Sequence, residues 1–164
     1  MSGTLALWKT AHVISATVLF GTGLGTAFFC WFGCRAAVRG GEIATLRALL
    51  RLTVIADAVF TAPAVLFQAA SGLVLMGLLG WPYFSAWSIA VWGLFALVGA
   101  CWLPVLAIQV HLERTARRAA SIGALPGSFH RFFRIWFVLG VPAFAGVVII
   151  LYFMVAKPLA LAAG

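Results

Sequence analysis

Residues 86–110 read AWSIAVWGLFALVGACWLPVLAIQV, and residues 111–118 read HLERTARR. The first stretch has no charged side chain. As a helix it is roughly 37 Å long, enough to cross a hydrocarbon core of about 30 Å. The second stretch carries Arg114, Arg117 and Arg118. An apolar run that ends abruptly in arginines reads as a membrane span emerging on the cytoplasmic side.

Three further runs repeat this pattern. Working outward, the apolar periodicity predicts helices over about 5–32, 48–79, 86–110 and 135–156, with cytoplasmic loops over about 33–47 and 111–134. Glu113 to Ala120 is expected to continue the third helix into water, and Pro126-Gly127 to break it. The expected fold is all-α: an antiparallel bundle of four transmembrane helices forming one domain over residues 1–164. No basic region precedes the first run, and the run is too long for a signal-peptide core, so it is expected to be retained as a helix. Pro63 should kink the second helix and free a backbone carbonyl, which Gln68 is placed to satisfy.

Composition agrees with a lipid environment. Of 164 residues, 65% are apolar and 9% charged, whereas soluble domains carry about 25% charged residues. Mean hydropathy is +1.14. The net charge of +8 does not indicate nucleic acid, because nine of the eleven basic residues fall in two groups between apolar runs. These are Arg35, Arg39, Arg47 and Arg51, then Arg114, Arg117, Arg118, Arg131 and Arg134. Their placement predicts both termini on the side away from the cytoplasm of a bacterial inner membrane. Trp8, Trp81 and Trp87 at one face, with Trp31 and Trp136 at the other, are expected to form aromatic belts. Gly21 and Gly25 share a small-xxx-small register with Gly23 between them, and are expected to let a neighbouring helix approach closely. Cys30, Cys34 and Cys101 lie in apolar segments, and the Cys30–Cys34 spacing matches neither a redox pair nor a zinc knuckle.

Polar residues inside the spans are the functional candidates, since ionisable groups are costly in lipid. Lys9, His12 and Lys157 lie in the outer half, and both lysines can snorkel outward. His12 is too short to snorkel, so it either hydrogen-bonds within the bundle or ligates a metal or haem iron. Met76, Met154 and Lys157 are the candidate second ligands, as is His12 of a second copy. Asp57 is the only acid within a span. It can pair with a loop arginine, bond Gln109, or act as a proton-carrying carboxyl.

Several stretches together resemble a known family. They are Leu7-Trp8-Lys9-Thr10-Ala11-His12-Val13-Ile14-Ser15, Phe60-Thr61-Ala62-Pro63, Gln68 with Gly72, and Gly80-Trp81-Pro82. Cys101-Trp102-Leu103-Pro104-Val105, Trp136-Phe137 and Met154-Val155-Ala156-Lys157-Pro158 complete the set. Over nearly the whole chain they resemble the bacterial predicted integral-membrane family catalogued as domain of unknown function 2269. That resemblance implies a membrane protein and lends no activity. A second resemblance is confined to the first helix. Lys-x-x-His-Val-Ile-Ser is similar to the opening of the membrane-bound protoporphyrinogen oxidases and their copper-resistance-protein-D relatives, and it implies haem b ligation at His12. The lysine those oxidases carry in the third helix has no counterpart, since the stretch here reads Trp87-Ser88-Ile89-Ala90-Val91.

Three functions fit these residues. One is a membrane subunit or scaffold without catalysis of its own, held to a membrane partner or to further copies. Another is a b-type haem redox protein with His12 as axial ligand. The third is a small-solute or metal-ion transporter, working as an oligomer around Asp57 and the Pro63 kink. No hydrolytic triad, carboxylate pair or phosphate-binding loop is present.

Overall fold

The computed structural model describes residues 2–157. Among these the chain is all-α, with four helices long and apolar enough to span a membrane. They are α1 (Ser2–Arg39), the composite α2 (Ile43–Ala56) and α3 (Ala62–Leu79), α4 (Ala86–Ile122), and α5 (Ser128–Ala156). A π-helical turn, Asp57–Thr61, joins α2 to α3 in one continuous span.

The helices run further than hydropathy indicates. Most of 33–47 and 111–134 is helical, including the expected continuation from Glu113 to Ala120; only Gly40–Glu42 and Gly123–Gly127, the latter holding the expected break at Pro126-Gly127, are not. The reason is local. These segments are rich in alanine, leucine and arginine, good helix formers whether or not lipid surrounds them. The turns fall where glycine can take a left-handed backbone, Gly41 at φ 69° and Gly123 at φ 73°.

The extensions build a core at the arginine-rich end. Leu46, Leu50, Leu112 and Ala116 are fully buried there, with Cys34 beside them. Phe133 stacks on Phe129, Trp136 and Trp31, with ring centroids 6.0, 5.7 and 5.5 Å apart. Cys30 and Cys34 are buried free thiols with their sulfurs 3.8 Å apart.

Away from that end the bundle loosens into two pairs. α4 packs on α5 along its length and α1 packs on α3, while α1 touches α5 only lightly and α3 makes next to no contact with α4 or α5. The expected close approach at Gly21, Gly23 and Gly25 does not occur within the chain. A Cβ added at any of them meets no atom within 4 Å. The α4–α5 pair is instead tightened at Gly146, where an added Cβ would overlap the Val98 methyl.

At Pro63 the partner expected of Gln68 is not the one found. Pro63 lacks the N–H that would continue the α-helical ladder, and the chain answers with a wider turn. The Ala62 N–H reaches back five residues to the Asp57 carbonyl. Gln68 does not satisfy a carbonyl freed at the proline; its Nε2 donates to the His12 carbonyl on α1, at 2.7 Å. Ser15 adds a second tie by donating to the Ala64 carbonyl at 3.2 Å.

Candidate ligand-binding cavity

His12 faces α3. Its Nδ1 lies 2.7 Å from Ser71 Oγ, and its Cε1 lies against Gly72. Ser71 Oγ is also within bonding distance of the Phe67 carbonyl, at 2.5 Å. The direction of the His12–Ser71 bond follows the imidazole tautomer. With the Gln68 bond to its own carbonyl, His12 fastens α1 to α3. His12→Ala should lower stability by about 1 kcal/mol, read as a thermal shift of a few degrees in detergent, because Ser71 keeps its bond to Phe67.

A haem at His12 would need a second ligand near the imidazole. No hydrogen bond or ring contact brings Met76, Met154 or Lys157 to it. Met76 is buried at the far end of α3, where its carbonyl accepts the Trp81 N–H. It lies five residues beyond Ser71, about 7.5 Å further along the axis. Lys157 places its Nζ 4.7 Å above the Trp81 ring, and Met154 is half-buried on α5. Lys9 is exposed. Among the described residues no three histidine, cysteine or acidic side chains group as a metal site.

The second polar cluster joins helices from both pairs. Asp57, at the π turn, accepts from Thr61 Oγ1 at 2.7 Å on one oxygen and from Gln109 Nε2 of α4 on the other. Gln109 Oε1 accepts from the indole of Trp136 on α5, at 3.1 Å. Indole nitrogen only donates, so Trp136 fixes which way the Gln109 amide points. All four residues are buried, Gln109 to 1% exposure. Trp136 is buried against neighbouring helices, and so is Trp87, whose indole donates to the Phe153 carbonyl at 2.9 Å. The sequence carries no sign of these indole bonds, because they depend on how the α4–α5 hairpin folds back.

Above this cluster lies a cavity of about 440 Å³ between the two helix pairs. Its walls are almost wholly apolar, with Phe20, Phe95, Trp102, Phe137 and Phe144 among the large side chains. The exceptions are Thr26, Gln68 and the indole of Trp102 along the sides, and Asp57, Thr61, Gln109 and Trp136 grouped together. His12 is not among the lining residues. Three lining glycines, Gly23, Gly99 and Gly140, face open space, since an added Cβ at each meets nothing within 4 Å. Protein interiors are normally close-packed, so this room is not taken up by the chain's own side chains.

The profile of a family described as predicted integral membrane protein, DUF2269, matches residues 6–158. The chain belongs to this family. No curated protein and no solved structure matches this DUF2269 chain. Family membership thus gives the DUF2269 protein its lipid bilayer, while its chemistry has to be read from the cavity and its polar floor.

Proposed function

We propose that this protein is a membrane subunit without catalysis of its own, which holds a lipid-soluble small molecule between the α1–α3 and α4–α5 pairs. The observation that carries this reading is the apolar cavity walled by glycines with nothing opposite them. Sites for small ligands are commonly concave, mostly apolar spaces of about 300–1,000 Å³ with a few convergent polar groups. The occupant is therefore a compact apolar body with one hydrogen-bonding head. That head belongs beside Gln109 and Asp57, where the second amide hydrogen of Gln109 and the remaining carboxyl lone pairs are at hand.

The polar groups engaged in helix-to-helix bonds support the non-catalytic part of the reading. They favour it over a transporter, which needs a polar path that this cavity lacks. The arginine distribution supports an N-out, C-out orientation in a bacterial inner membrane, with the packed core on the cytoplasmic side.

Native mass spectrometry of the detergent-purified protein tests the proposal. The wild type should carry one low-mass adduct per chain. Gly99→Leu combined with Gly140→Leu fills the space and should abolish the adduct while leaving the protein folded. A wild type without adduct, or a filled variant that keeps it, overturns the reading.

A further inference from the structure

A second cavity, of about 430 Å³, opens on the outside of the bundle at the arginine-rich end, between α2 and α4. It is lined by Arg47, Arg51, Val54 and Ile55 of α2 and by Val110, Glu113 and Arg117 of α4. Spacings of four, seven and eight on α2, and of three and seven on α4, put each set on one helical face. The two stripes are graded alike. α2 enters the membrane from Arg47 through Arg51 to Val54 and Ile55, while α4 leaves it from Val110 through Glu113 to Arg117. Seven residues of helix rise about 10 Å, so the cavity passes from apolar to cationic within the depth of a headgroup layer.

Charge within the cavity is unbalanced. Three guanidiniums meet one carboxylate, and no ion pair within 4 Å joins Glu113 to them among the described residues. Like charges are held together here rather than spread around the rim. Arg47 is half-buried between the helices, and Ile55 beneath is exposed toward lipid. Guanidinium forks match phosphate oxygens bidentately, and basic pockets between transmembrane helices suit anionic headgroups.

We propose that Arg47, Arg51 and Arg117 form a binding site for the phosphate of an anionic phospholipid, with its acyl chain lying on Val54, Ile55 and Val110. The site is separate from the inner cavity and stands or falls independently of it. Glu113, also in the lining, can accept a hydrogen bond from a glycerol hydroxyl of the headgroup. The apolar lower half distinguishes a lipid from free phosphate, which fills only the upper half.

Thermal unfolding of the full chain in detergent supplies the test, with phosphatidylglycerol, cardiolipin, phosphatidylcholine or inorganic phosphate added in turn. Phosphatidylglycerol and cardiolipin should raise the unfolding temperature by several degrees, and phosphatidylcholine and inorganic phosphate should not. Arg47→Gln with Arg117→Gln should remove the shift, whereas Arg39→Gln with Arg134→Gln, which removes equal charge outside the cavity, should keep it. Arg47→Lys with Arg117→Lys retains charge without the forks and should keep only part. Equal loss in the two glutamine pairs reduces the effect to net charge and overturns the site. A full shift with inorganic phosphate alone overturns its lipid half.

Discussion

Gln109→Leu should be among the most damaging single substitutions in the membrane interior. It strands two buried groups at once, the Asp57 oxygen that accepts from Nε2 and the Trp136 indole that donates to Oε1. Each buried polar group left without a partner costs about 1–3 kcal/mol, so a loss of about 3 kcal/mol is expected. In a chain of this size that is roughly 6–12 °C in unfolding temperature. Asp57→Asn makes the contrast. The asparagine carbonyl accepts from Gln109 and its amide donates to the Thr61 hydroxyl, so the chain of bonds survives and the loss should stay within 2–3 °C, about 1 kcal/mol. Unfolding followed by fluorescence-detected size exclusion distinguishes the two. Equal losses in both variants would mean that the charge of Asp57, rather than the bonds around it, holds α2, α4 and α5 together.

The second large effect concerns two glycines six residues apart on α5. Gly146→Leu drives a side chain into Val98 at the tightest point of the α4–α5 pair. Overpacking of this kind costs about 1–3 kcal/mol, and the yield of monodisperse protein should drop severalfold. Gly140→Leu adds the same side chain where an added Cβ meets nothing, and should leave yield unchanged. Val98 itself borders the inner cavity, so trimming it makes room. Val98→Ala should restore part of what Gly146→Leu loses. If Gly140→Leu proves as harmful as Gly146→Leu, the space beside Gly140 is not open and the cavity is smaller than described.

That pair shows why the sequence informs unevenly. The four spans and the basic end were legible because predominantly apolar runs longer than a bilayer, interrupted by arginines, have one cheap arrangement. The glycines were not. Gly21, Gly23 and Gly25 have the spacing of a packing motif and pack against nothing in this chain, whereas Gly146, outside any motif, makes the close approach. Glycine spacing records where a helix can be approached; which neighbour comes close is decided by the other helices. Tryptophan was ambiguous for a related reason. Trp136 is three residues from Phe133 and two from charged Arg134 in the sequence, which suggests an interface, yet its ring turns inward because Gln109 offers an acceptor there. Asp57, Gln68, Gln109 and His12 stood out simply as polar groups in lipid. Their partners Thr61 and Ser71 did not, since a lone hydroxyl in a span can always bond its own helix.

The wide turn at Asp57–Thr61 also bears on how chains of this kind should be counted. A π turn takes up one more residue than an α turn. Removing Ala58, which is exposed, lets the turn close to ordinary pitch with Leu50 before it and Ser71 after it still pointing where they do. A chain one residue shorter here should therefore keep the contacts made before and after the turn. The natural place for a gap in aligning it lies inside a transmembrane span, where gaps are ordinarily forbidden.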